Sequence, residues 1–140
     1  MDPLVQAFFK SYEIANSSSD LTAIADLYAE TFLFAGPSAV RSVRREDFLK
    51  VVPKMKTQFA LLGLTESRLS SVEAANLDSR YVLAKVQWTM TLRTAEGPIN
   101  HFDAFATYVL QHCDGKLSII CQLDHQDLAA VIHDKRHTQS

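Results

Sequence analysis

The amino-acid sequence predicts an α+β fold in which amino-terminal helices pack on one face of an antiparallel sheet. Helical spacing of apolar residues lies in the part of the chain before Gly63, apart from a last helical turn expected after Asp127 with Leu128, Val131 and Ile132. After Thr65, apolar and polar residues alternate as they do in half-buried strands. Two such runs flank Asp114-Gly115, a dipeptide that strongly favours a two-residue hairpin turn. Because helical and strand segments are segregated along the chain, an α+β architecture follows.

Capping residues mark the first two helices. Asp2 caps a helix whose first position is Pro3, and Asp20 caps a second, shorter helix. Residues 30–35 then form a short strand, which a Gly-Pro pair ends. These elements place the first strand directly after the helical pair.

The third helix is predicted from Ser42, as its cap, to Gly63, as its carboxyl-terminal stop. Pro53 lies inside it and predicts a kink or a restart near Val52. The side chains expected on its buried stripe are Phe48, Val51, Val52, Met55, Phe59 and Leu62.

The remaining chain predicts strands joined by tight turns. Residues 66–75 and 81–93 form two strands around a turn at residues 77–80, and a turn at residues 95–98 leads into the final hairpin. With a two-residue turn at Asp114-Gly115, simple alternation fixes the hairpin register. It pairs Cys113 with Lys116, Leu110 with Ile119, Tyr108 with Cys121 and Ala104 with His125.

Length and charge limit the domain organisation and the classes of partner. We expect one domain over residues 1–132 and a frayed polar tail over residues 133–140. The net charge of −2 argues against nucleic-acid and membrane-surface partners. No secretory signal or membrane span is expected, and Cys113 and Cys121 should stay reduced, so a cytoplasmic location is predicted.

The element order, the strand FLFAGP, the segment RREDFL and the closing hairpin YVLQHCDGKLSIICQLDH together define a recognisable pattern. The chain resembles the nuclear transport factor 2-like superfamily, specifically its SnoaL-like branch, over about residues 3 to 128. This resemblance implies a cone-shaped, cystatin-like α+β roll, with a curved sheet around the helices and a pocket at the open end. It also implies functions ranging from isomerases, dehydratases and cyclases to proteins without known activity, so fold alone does not assign one.

The apolar face of the predicted sheet supplies the first candidate site. His125 ends this face and is the predicted proton carrier, since an imidazole titrates near neutral pH. The expected ligand is a small apolar or aromatic molecule. The expected binding residues are Tyr12, Phe32, Phe34, Trp88, Met90, Tyr108 and Cys121. The alternative is that the aromatic residues fill the core and His125 hydrogen-bonds at the sheet edge.

A second candidate set comprises His101, Asp103 and Asp124, which alternation places together on the opposite face. A histidine with two carboxylates can act in acid–base catalysis, and Asp103 is the second predicted catalytic residue. On this face the groups would be solvated or lie at a subunit interface. A one-residue bulge would reverse the assignment.

No cofactor or metal site is expected, because no ligand spacing typical of one is present. The catalytic patterns that the resemblance implies also transfer only in part. In the ketosteroid-isomerase-like pattern, Tyr12 would match a first-helix tyrosine and Asp103 an acidic donor, but the first strand offers no carboxylate base.

Two functions therefore remain open. One is a small-molecule pocket protein, either a binder or an acid–base enzyme of the isomerase, dehydratase or cyclase type. The other is a non-catalytic module that works by association. It would be a homodimer formed through the sheet, because Phe105, Val109 and Ile120 are apolar on the predicted outer face.

Overall fold

The computed structural model describes residues 2–93 and 97–137. Its elements follow the predicted order of helices first and most strands afterwards, so the α+β prediction is confirmed. They are α1 Pro3–Ser18, α2 Leu21–Ala25, β1 Tyr28–Ala35, β2 Val40–Arg44, α3 Arg45–Leu61, β3 Leu64–Asn76, β4 Tyr81–Arg93, β5 Ile99–Cys113, β6 Lys116–Asp124 and α4 Leu128–His137.

The six strands form one curved, open sheet in the order β2-β1-β6-β5-β4-β3. Neighbouring strands are antiparallel except β1 and β6, which are parallel. The core lies between the concave face of this sheet and the helices. Its most deeply buried large side chains are Tyr108, Phe9, Leu92, Leu110 and Ile119.

The predicted caps of α1 and α2 are confirmed. Asp2 Oδ1 accepts a hydrogen bond of 2.9 Å from the backbone N–H of Leu4, and Asp20 Oδ1 accepts one of 3.2 Å from Ala23. Helix α1 buries Val5, Phe8 and Phe9 against the sheet. These contacts place α1 across the concave face.

The start of α3 differs from the prediction. Ser42 lies in β2, opposite Leu33, and the helix begins after Arg44 without a side-chain cap. The helix runs through Pro53 without a restart, and Val51 is 46% exposed rather than part of the buried stripe. Strand β2 was not predicted, because it is a short, largely exposed edge strand in which apolar and polar residues do not alternate.

The predicted turn at Asp114-Gly115 is confirmed, with φ angles of 53° and 75° at its two residues. Cys113 pairs with Lys116 and Leu110 with Ile119, as expected. Beyond that point the predicted register is wrong, because Val109 pairs with Cys121 and Tyr108 with Gln122. Ile120 is the extra residue of a β-bulge, which moves each later residue of β6 to the opposite face.

The carboxyl-terminal helix α4 runs to His137, so it continues through residues 133–137 of the predicted tail, and it buries Ile132 completely. Residues 138–140 of the predicted tail, and residues 94–96 at the predicted turn of residues 95–98, lie outside the described residues. Across the described chain, no helix combines the length and apolar character needed to cross a membrane.

Gly63 connects α3 to β3 in a conformation that only glycine adopts readily. Its φ is +103°, and an added Cβ would lie 2.4 Å from the backbone oxygen of Arg93. Gly115 has a positive φ of +75° but open space, and Gly36 has open space without a positive φ. Substituting these three glycines therefore distinguishes the cost of steric overlap from the cost of backbone strain, since Gly63 has both, Gly115 has strain alone and Gly36 has neither.

We predict that Gly63→Ala lowers the free energy of unfolding by about 3 kcal/mol or more, since strain and overlap add. Gly115→Ala should cost roughly 1 kcal/mol through strain alone. Gly36→Ala should change stability by about 0.5 kcal/mol or less. Urea denaturation of the three variants checks this order, and equal effects at Gly63 and Gly115 would contradict it.

Candidate functional site

A cavity of about 360 Å³ lies between the concave face of the sheet, α1, α3 and the start of α4. Most of its wall is apolar, which suits a small organic molecule. The apolar lining side chains include Ile24, Leu27, Phe34, Phe48, Val52, Met55, Phe59 and Leu128.

A smaller lobe of about 150 Å³ adjoins this cavity, because Tyr12, Gln122 and Asp124 line both spaces. Trp88 and Met90 line the smaller lobe from the sheet. The polar side chains therefore lie where the two lobes meet.

The bulge at Ile120 brings two polar side chains of β6 to the cavity. Gln122 is buried opposite Tyr108, and Asp124 lies opposite Ala106 on the same face. Tyr28 donates its O–H to Gln122 Oε1 at 2.7 Å, and Gln122 Nε2 donates to Asp124 Oδ1 at 3.1 Å. The Tyr12 and Tyr28 hydroxyl oxygens are 3.3 Å apart. A continuous hydrogen-bonded chain thus runs from α1 to the Asp124 carboxyl.

Asp124 supplies the carboxyl group at the end of this hydrogen-bonded chain, and burial raises the pKa of that carboxyl. The hydrogen bond from Gln122 and the charge of His125 oppose that rise. A carboxyl group in such surroundings can both accept and return a proton nearer neutral pH than an exposed aspartate can.

Burial also raises the pKa of the three tyrosine hydroxyls around the cavity, with the strongest effect at Tyr28 and Tyr108. These hydroxyls therefore stay protonated at neutral pH. They act as hydrogen-bond donors and not as bases, and the Tyr28 O–H is already donated to Gln122.

His125 does not face this cavity, so its predicted position is wrong. It is exposed on the outer face of the sheet, where its Nε2 lies 2.7 Å from Thr107 Oγ1. Cys121 also points outward, opposite Val109. The cause is again Ile120, because the extra residue exchanges the two faces of β6 after Ile119.

The predicted group of His101, Asp103 and Asp124 is divided between the two faces. His101 and Asp103 are exposed on the outer face, beside Thr91 and Thr89. Asp124 lies in the cavity instead. The three side chains therefore cannot form one acid–base set.

The predicted binding residues other than Cys121 lie at or behind the cavity wall. Tyr12 and Phe34 line the larger cavity, and Trp88, Met90 and Tyr108 line the smaller lobe. Trp88 Nε1 donates to the Tyr108 hydroxyl at 3.3 Å. Phe32 packs behind the wall against Tyr28 and Phe48.

Sequence reasoning missed Tyr28, Gln122 and Lys56 as cavity residues. For Lys56 a signal was present, because Val52, Lys56 and Phe59 have the i, i+4, i+7 spacing of one helix face. A lysine within a buried stripe indicates either a structural contact or a site for an anion. For Gln122 no signal existed without the bulge.

Among the described residues, no group of three or more histidine, cysteine or acidic side chains is placed to hold a metal ion. The side chains of the cavity wall supply its polar chemistry. They provide hydroxyl groups, amides, two carboxyl groups and, from Lys56, one amine.

The family model described as NTF2-like protein (DUF6841) matches residues 2–127. The chain belongs to this NTF2-like family. No curated protein matches the sequence significantly. The matching family model does not distinguish the SnoaL-like branch within the superfamily, so that placement stays a prediction.

Solved structures similar to this NTF2-like chain share its fold at low identity. Aln2 from a Streptomyces species is 16% identical with a TM-score of 0.73, and the match covers 91% of each chain. A putative scytalone dehydratase from Novosphingobium aromaticivorans is 12% identical with a TM-score of 0.69, covering 86% of this chain and 80% of the other.

An NTF-2 like protein of unknown function from Shewanella oneidensis is 17% identical with a TM-score of 0.68, covering 87% of this chain and 96% of the other. At these identities the similarities establish the fold and leave the activity open.

The raised pKa of Asp124 predicts a pH-dependent effect of Asp124→Asn on stability. The folded pKa exceeds the unfolded value of about 3.9, so this carboxyl favours folding at low pH and loses that contribution as pH rises through the folded pKa. Asp124→Asn should therefore gain stability relative to wild type as pH is raised from about 4 to neutral.

Denaturant unfolding at a series of pH values measures this difference. Asp103→Asn, on the outer face of the same sheet, controls for the loss of one negative charge. A difference between wild type and Asp124→Asn that is constant across the series would contradict the burial argument.

Proposed function

We propose that this NTF2-like protein binds a small, mainly apolar molecule in the larger cavity and its adjoining lobe. Asp124 would remove a proton from this molecule and return it. The observation that supports the proposal is the Asp124 carboxyl, which accepts a hydrogen bond from Gln122 in a mainly apolar wall and has a raised pKa. Asp124 thus takes the role first predicted for His125. The reaction class remains that of isomerases, dehydratases and cyclases.

The side chains around Asp124 suit proton transfer at a carbon next to a carbonyl group. The carboxylate would remove the proton, and the electron pair of the broken C–H bond would move to the carbonyl oxygen. The Tyr28 O–H is directed to Gln122, so in the hydrogen-bonded chain the Tyr12 O–H is donated to the Tyr28 oxygen. Tyr12 would donate to the ligand oxygen by turning its O–H away from Tyr28. The Asp124 carboxyl would then return the proton to the product carbon.

Deuterium exchange tests this step without knowledge of the natural substrate. Incubation with 2-tetralone in D₂O, followed by NMR, should show faster loss of the α-protons with protein than without it. Asp124→Asn should reduce the catalysed rate by roughly 100-fold, the usual contribution of a positioned acid–base group.

His125→Ala is the matched control, since it changes the neighbouring residue on the other face of the sheet. It should retain the catalysed rate. Loss of exchange in His125→Ala but not in Asp124→Asn would overturn the assignment. Binding can be followed in parallel by the fluorescence of Trp88, the single tryptophan of the chain, which lines the smaller lobe.

Association of two copies through the outer face of the sheet is a second proposed function, compatible with the first. The strand register aligns an apolar row across five strands on this face, formed by Ala75, Leu83, Val109, Cys121 and Leu33. Phe105 is 45% exposed on the same face. Glu73 and Lys85 are paired residues beside the row, so the face carries both charges and can match a second copy of itself.

Light scattering after size exclusion tests this association. Wild type should have the mass of a dimer at about 10 µM, and Phe105→Lys should shift the population to monomer because it places a charge in the interface. Leu61→Lys, at a 79% exposed apolar residue at the end of α3, is the control and should stay dimeric. A monomeric wild type would reject the proposal.

A further inference from the structure

Lys56 on α3 is the basic side chain in the wall of the larger cavity. Its Nζ donates to the backbone oxygen of Asn16 and to Ser19 Oγ, the latter at 3.0 Å. Among the described residues, no acidic side chain forms an ion pair with it within 4.0 Å. An ammonium group has three N–H donors, so one remains for a ligand.

The position of Lys56 is energetically unfavourable for a charge without a counterion. It is half-buried at a helix position between Val52 and Phe59, and loss of hydration lowers its pKa. The two acceptors at the end of α1 offset part of this cost, since the carboxyl end of a helix attracts a cation. They supply no full negative charge.

The two acidic side chains in the wall of the larger cavity form no ion pair with Lys56. Asp124 Oδ1 accepts from Gln122, and Asp127 Oδ1 accepts from the backbone N–H of Ala130 at the start of α4. An anion that enters with the ligand would therefore supply the counter-charge for Lys56, while the apolar wall holds the rest of the molecule.

We propose that Lys56 binds the carboxylate of the ligand, so that the cavity takes a ring-containing organic acid rather than a neutral molecule. This inference rests on the proposed function, and it names the class of ligand for that site. In the bound state the carboxylate would contact Lys56 in the larger cavity. The part of the molecule that exchanges a proton would lie at Asp124, where the two lobes meet.

Matched pairs of aromatic acids and their amides test the proposal, because each pair differs by one charge at nearly constant shape. We would titrate wild type with 2-naphthoate and 2-naphthamide, and with cinnamate and cinnamamide, by isothermal titration calorimetry. The acid should bind at least about 10-fold more tightly than its amide, as expected for a partly desolvated ion pair.

Lys56→Met should remove this preference while keeping an apolar side chain of similar length. Lys56→Arg should retain most of it. Lys54→Met is the matched control, because Lys54 is an exposed lysine on the same helix outside the cavity wall. It should bind acid and amide as wild type does. The ratio of acid to amide affinity is informative even if Lys56→Met loses stability with its contacts to α1.

Equal affinity for acid and amide in wild type, or a preference that survives Lys56→Met, would overturn the inference. In that case, binding of the amides together with Asp124-dependent exchange of 2-tetralone would leave the proposed function intact. If neither acids nor amides bind and no exchange occurs, both the proposed function and the ligand class are rejected.

Discussion

The β-bulge in β6 is the feature on which the character of the cavity depends. Ile119 and Ile120 occupy the place that one residue would fill in a regular ladder, so Gln122 and Asp124 face the concave side. In a regular strand, Cys121 and His125 would instead face the cavity. The cavity would then have contained a thiol and an imidazole rather than an amide and a carboxyl group. One inserted residue thus determines which side chains β6 contributes to the cavity.

Gln122 and Asp124 can be buried because their polar groups form hydrogen bonds with each other and with Tyr28. Gln122 is 7% exposed and would be costly without partners, yet it accepts from Tyr28 and donates to Asp124. The same bonds orient the carboxyl group toward the space that the two lobes share. One hydrogen-bond network therefore both satisfies the buried polar groups and positions the Asp124 carboxyl. The network also links α1, β1 and β6, three elements distant in the sequence.

Much of the fold was predictable because local signals were strong. Asp2-Pro3 marked the start of α1, Asp114-Gly115 marked the hairpin turn, and clear alternation predicted the bounds of β4. The bulge was not predictable, because Ile119 and Ile120 are both apolar and alternation cannot decide which of them faces the core. Trp88 and Tyr108 were assigned to the cavity from β4 and β5, where register stays regular, whereas the assignments on β6 failed after Ile120.

The pKa shifts of the tyrosines and of Asp124 limit which side chain of the cavity could carry a proton. Tyr12, Tyr28 and Tyr108 all have raised pKa values, so each hydroxyl remains a donor at neutral pH. For Asp124, burial raises the pKa, while the hydrogen bond from Gln122 and the charge of His125 act against that rise. Under the proposed function, Asp124 is therefore the side chain of this network that would exchange a proton with a ligand, and Tyr12 is the one that would donate to the ligand oxygen.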